Sequence, residues 1–169
     1  NTSFMDGGGV SLCGSDQTDV ENCTLYGNAV TEFFGAGGGL SAAYSYVDIK
    51  NSILYNNIAE LGHELSVGEY SAYDNQWAAA LVTYSIVQGG EEDVFVKKVD
   101  SGEVGIDSQL LWWAGAFDAD PNFADTSVVD ETFFLSQIPS GQNELVNGSF
   151  DENFYSPAVD AGDGLASAT

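Results

Sequence analysis

Carboxylates are bunched along this chain in ways that could do chemistry. "EEDVF" sets Glu91, Glu92 and Asp93 in a row, "FDADP" separates Asp118 from Asp120 by one residue, and "AVDAGD" brings Asp160 close to Asp163. Two carboxylates at the right separation suffice for glycoside hydrolysis. Closely spaced acids in loops are also the hard oxygen ligands that Ca²⁺ takes, and Glu91, Glu92, Asp93, Asp118 and Asp120 are the candidates. Neither group matches an EF-hand loop or a Gly-rich Ca²⁺-binding nonapeptide. With 26 acidic residues, such pairs also arise by chance, and an Asp at a turn ordinarily accepts backbone N–H groups. No catalytic residue is assigned from them; structural Ca²⁺ is the one cofactor they suggest.

Basic groups are scarce. Proton abstraction from a uronate needs a base and cations to neutralise the carboxylate, and the chain offers only Lys50, Lys97, Lys98 and His63, with no Arg. Lys50 sits beside a corner, pointing outward, and His63 beside Glu64 reads as a surface residue. Trp112 and Trp113 are the candidate ligand-binding pair, a platform on which a sugar could stack, although an aromatic pair also serves to cover the side of a fold.

Three lysines against 26 acids leave a net charge of −23. Nucleic-acid binding needs a basic face that this composition cannot build, and an anionic membrane surface is disfavoured for the same reason. Polyanionic polysaccharides would require bound cations. No run of 18 apolar residues is present, so no transmembrane segment is expected. Cys13 and Cys23 are too few for a disulfide framework, and either a bridge or two buried thiols fits them.

What must position these groups is a repeat. "GGGVSL…VENCTLYGN" (7–28) and "GGGLSA…IKNSILYNN" (37–57) align at an offset of 30 and then 29, and "VTYSIVQGG" (82–90) repeats the second block at 33. Periods of this size mark solenoids. The unit holds short runs rich in Val, Ile, Leu, Thr and Tyr, broken by Gly and Asn, with no sustained helical period. Alternation recovers in "VENCTLY" only if the chain bends at Asn22, and Asn tolerates the left-handed conformation of such a bend. A chain that turns every few residues and repeats every thirty is coiling, each coil pairing in parallel with the last. The expected fold is all-β, a right-handed parallel β-helix of about four to five coils with inserted loops. Its ladder stacks Leu25, Leu54 and Val87 in one column, Cys23, Ser52 and Ser85 in another, and Asn22 beneath Asn51. Coils are expected at 7–36, 37–61 and 62–90, with "GHELS" echoing "GGGLS" and a surplus loop around Tyr70 to Trp77. Residues 91–115 read as an excursion, and 116–169 as the final coil and C-terminal segment of a single domain, 1–169.

"NCTLYGN", "NSILYNN", "YSIVQGG", "FDADPNFAD", "FFLSQIPSGQ" and "SPAVDAGD", in this order, resemble the carboxy-terminal part of bacterial right-handed parallel β-helix repeat proteins. The resemblance is to the secreted type related to polymorphic outer-membrane proteins and choice-of-anchor domains. It covers about residues 1–166, least well over 91–115. It implies an elongated extracellular or cell-surface protein, structural or adhesive, with no reaction of its own. The rival expectation is a carbohydrate-active module that binds or hydrolyses polysaccharide. The start at Asn1, inside a repeat and without Met, reads as a mature or excised piece of a longer precursor. Ends with little to cover them suggest head-to-tail stacking of copies, so the expected partner is the chain itself or other extracellular components.

Overall fold

The computed structural model describes residues 1–68, 77–99 and 105–121, together with two short strands farther along the chain. The chain divides into two units, Asn1–Asp118 and Ala119–Thr169. The first is a parallel β-solenoid of about three turns. The first turn carries β1 (Thr2–Ser3), β2 (Val10–Cys13), β3 (Thr18–Glu21), β4 (Thr24–Tyr26) and β5 (Ala29–Val30). The second carries β6 (Leu40–Ala43), β7 (Tyr46–Lys50) and β8 (Ile53–Tyr55), and the third β9 (Leu65–Val67), β10 (Ala79–Thr83) and β11 (Ile86–Val87). After a single helical turn, α1 (Gly90–Asp93), come β12 (Phe95–Val96) and β13 (Gln109–Trp112). In the second unit β14 (Leu145–Val146) pairs antiparallel with β15 (Ser149–Phe150). No helix among the described residues is long and apolar enough to cross a membrane.

Three parallel sheets run up the sides of the solenoid, in the orders β2-β6-β9-β12, β3-β7-β10-β13 and β4-β8-β11, the last extended by a bridge from Ile86 to Phe117. Register follows the repeat residue for residue. Val10 lies on Leu40 and Leu25 on Leu54, which in turn lies on Val87. Leu40, Val47, Ile49, Leu54, Leu65, Val67, Val82 and Val87 form the sealed interior. Between β9 and β10 the chain runs eight residues longer than between β6 and β7, as the jump in register offset from 25 to 33 requires. Of the surplus loop expected at Tyr70 to Trp77, only Trp77 is among the described residues.

Within 91–115, expected as an excursion, two described segments join the sheets of the coil. β12 continues β9 and β13 continues β10 in register, with Leu110 and Trp112 turned toward the core and Gln109 and Leu111 away from it. The repeat signature fails there because α1 replaces the Gly-Asn corner, while the period-two alternation that makes a strand survives.

The corners repeat as faithfully as the strands. Asn22, Asn51 and Tyr84 are left-handed, with φ of 54°, 49° and 47°. Beyond each corner a hydroxyl or thiol satisfies the backbone that the bend exposes. Ser52 Oγ accepts from the Cys23 N–H and Ser85 Oγ from the Ser52 N–H, both at 3.1 Å. The Ser52 and Ser85 hydroxyls each donate back across the corner to the carbonyl two residues earlier, at 2.8 Å. The Cys23 thiol makes the same return contact, to Glu21 O at 3.2 Å. Neither expectation for the cysteines holds: Cys13 and Cys23 are both free and exposed. Small size fits Cys23 to the serine column, but it follows β3, which has a neighbouring strand on one side only among the described residues.

Candidate functional site

Each turn enters its first large sheet through a left-handed glycine, Gly7, Gly37 or Gly62. Two residues later the first two turns have Gly9 and Gly39, and here glycine is required. A Cβ on Gly39 would lie 2.6 Å from Glu64 O and 2.9 Å from Asn57 Nδ2. That space belongs to an asparagine column. The Asn28 N–H and Nδ2 both donate to Asn57 Oδ1, at 2.8 Å each. Asn57 Nδ2 also reaches Leu25 O at 2.8 Å.

The third turn departs from the pattern at both positions. Where the earlier turns have Gly9 and Gly39 it has Glu64, and three residues past Val87, where Asn57 stands three past Leu54, it has Gly90. Gly90 opens α1 with φ +67° and offers no side chain to the column. Glu64 supplies the missing acceptors instead. Its Oε1 takes the Asn57 N–H at 3.1 Å, and its Oε2 takes Asn57 Nδ2. The carboxyl does for Asn57 what the Asn57 amide does for Asn28.

The side chain is almost wholly buried. Burial pushes the Glu64 carboxyl up to about 7; hydrogen bonds from Asn57 oppose the shift and the nearby charge of Asp93 adds to it. A polar cleft of about 360 Å³ adjoins it, lined by Asn56, His63, Gln88 and Asp93 among others, with His63 Nδ1 4.0 Å from Asp93 Oδ2. A carboxyl poised near neutrality in a cleft is what general acid–base catalysis uses, provided it reaches the substrate. Both Glu64 oxygens are already engaged by Asn57, so the group closes a structural column. Glycine replaced by Glu in "GHELS", together with Asn replaced by Gly at 90, was the available sequence signal.

Of the acids, tryptophans and basic residues singled out from sequence, His63 and Asp93 line the cleft beside this column. Glu91, Glu92 and Asp93 occupy α1 and are exposed. Asp118 closes the first unit and Asp120 lies in the second. Among the described residues no three His, Cys, Asp or Glu side chains converge as a metal site would require. Asp160 and Asp163 fall outside the described residues. Trp112 packs half-buried against the core and donates Nε1 to Ala116 O at 3.2 Å, whereas Trp113 is 60% exposed. Neighbours so differently disposed do not share one stacking face. Lys50 stands in register with Glu21, the Lys97 N–H bonds Val67 O to prolong β9's ladder, and Lys98 approaches Asp107 at 4.0 Å.

Comparison with protein-family models, with curated proteins and with solved structures gives no match for this chain.

Proposed function

We propose that this solenoid is a non-enzymatic structural or adhesive protein of the extracellular space or cell surface, extended axially by head-to-tail contact with further copies. One observation carries the reading. The layer formed by β2, β3 and β4 has the chemistry of a middle layer, so a further coil fits over it, whether of the same chain or of a second copy. Val10, Leu12 and Leu25 are only partly buried there, while their register partners one turn on, Leu40, Ala42 and Leu54, are fully sealed. Unpaired strand edges template further pairing. Phe4, 70% exposed, lines a cleft with Leu12 and Cys13 of β2 and adds apolar surface that a stacked coil would cover. A contact between unlike faces, related by a translation and rotation that does not close, yields a filament. The charge of −23 opposes lateral clumping, and the motif resemblance to secreted β-helix repeat proteins supports the extracellular placement.

Electron microscopy and sedimentation at micromolar concentration test this. The chain should elongate, and Phe4→Lys should hold it monomeric with an unchanged far-ultraviolet spectrum, since the side chain is exposed. A parent chain that stays monomeric with and without Ca²⁺ rejects head-to-tail assembly.

A further inference from the structure

A second cleft, of about 400 Å³, follows the corner between the first two large sheets. Ser15 and Asp16 reach it from the turn between β2 and β3, Tyr44 and Tyr46 from the β6–β7 corner, Trp77 from just before β10 and Ile106 from before β13. Each turn contributes, so the residues lie far apart in sequence and are gathered only by coiling. Tyr44 holds the corner itself in the left-handed region, φ 53°. Trp77 is 48% exposed.

The chemistry of this lining is lopsided. Three aromatic side chains supply large faces whose quadrupoles attract positive charge. The polar groups are few, and two are spent on each other: the Ser15 N–H donates to Ser45 Oγ at 3.0 Å, and that hydroxyl donates to Ala43 O at 2.8 Å. A sugar ring presents several hydroxyls that must each be satisfied and would draw on Asp16 and the Ser15, Tyr44 and Tyr46 hydroxyls together. An organic cation asks less, needing aromatic faces and one carboxylate, which Asp16 provides. None of the three lysines lines the cleft, and a net charge of −23 concentrates cations at the surface.

We propose that the Tyr44–Tyr46–Trp77–Asp16 cleft binds an organic cation, a quaternary or protonated amine carried by a small molecule or displayed on a larger one. The site is independent of axial assembly, because a monomer contains all of it.

Calorimetric titration with choline tests the assignment, set against 3,3-dimethylbutan-1-ol, its uncharged isostere, and against a neutral cello-oligosaccharide. Choline should bind about two- to fivefold more tightly than the isostere, as a partly exposed cation–π contact allows. Trp77→Ala should weaken choline binding about tenfold and Asp16→Asn several-fold, while Trp113→Ala, outside the cleft, leaves it unchanged. Added NaCl should weaken binding without abolishing it. Equal binding of choline and isostere would make the cleft merely apolar, and binding of the oligosaccharide alone would make it a sugar site. Choline binding that survives Trp77→Ala would mark a diffuse counterion. Any of these results, or no choline binding at all, overturns the proposal.

Discussion

In the first two turns the column at the Gly-rich corner is closed by neutral amides, Asn28 resting on Asn57; in the third it is closed by an acid, Glu64, entering from the opposite side of the corner. The hydrogen-bond geometry offered to the layer above is nearly the same. The difference is that an amide holds its place at every pH, whereas a buried carboxyl changes charge. The solenoid can therefore exchange a Gly–Asn pair for a Glu–Gly pair without losing a bond, and it acquires a pH dependence where it does so. Gly90 is then free of the column, and the chain leaves it for α1.

The largest effect should come from removing the residue that joins the two halves. Asn57→Ala strips the acceptor for Asn28 and one donor to Glu64, and it strands a buried carboxylate. Breaking a buried charged interaction from one side costs about 3–5 kcal/mol. Denaturant unfolding at pH 8 should show a loss of that size, smaller at pH 5, where Glu64 is protonated. A loss equal at both values would mean that the two halves of the column are not electrostatically linked.

Next comes the titration itself. Glu64 is raised from 4.5 to about 7, so the folded chain binds this proton more tightly than the unfolded chain does. Its stabilising contribution is full below about pH 4.5, declines as pH rises and is gone above about 7, a fall of about 3 kcal/mol. Glu64→Gln should flatten that slope, because one amide oxygen can serve both Asn57 donors as Asn57 Oδ1 serves Asn28. Unfolding free energies measured from pH 4 to pH 8 in both proteins decide it, and parallel curves would remove Glu64 as the source.

Asn28→Ala probes the amide end, where no charge is buried. It should cost about 1–2 kcal/mol, independent of pH, the ordinary loss for hydrogen bonds to a buried partner. A pH-dependent cost there would show that the two ends behave as one unit.

The period, the register and the bend at Asn22 and Asn51 were legible because each depends on residue type at a fixed spacing. Leu25, Leu54 and Val87 align in sequence as they do in space. Features without a linear spacing are not legible in this way. "GHELS" echoes "GGGLS", and the exchange of Gly for Glu carries meaning only because Gly90 vacates the facing position. The cation cleft draws single residues from successive turns, which no local pattern announces. The serine counterparts of Cys23 suggest a small buried side chain, but burial depends on the layer a residue occupies, which residue type does not reveal. The strands at 95–96 and 109–112 do not show in the repeat because a helical turn interrupts the corner signature.

Asp48 gives the comparison its smallest and sharpest test, since it is a second acid whose carboxyl is raised, but without a column to receive it. Burial is the largest cause, followed by Asp19 and Glu21, while Lys50 pulls the other way. Asp19 lies directly in register with it, so two carboxylates face each other along the parallel ladder. Asp48 Oδ1 is shielded from solvent and has no hydrogen-bond partner among the described residues, the reverse of Glu64, whose oxygens are both served. Replacing Glu64 with Gln preserves an interaction; replacing Asp48 with Asn removes a repulsion and adds a donor toward Asp19. Asp48→Asn should therefore stabilise the fold at pH 8 by about 0.5 kcal/mol, the scale of a like-charge pair across neighbouring strands. The gain should shrink toward pH 4 as the carboxylates protonate, and shrink also in high salt. Thermal melts of the parent and the variant at both pH values measure it. A destabilised variant at pH 8 would mean that Asp48 is held by an attraction, and that the like-charge account of this face is wrong.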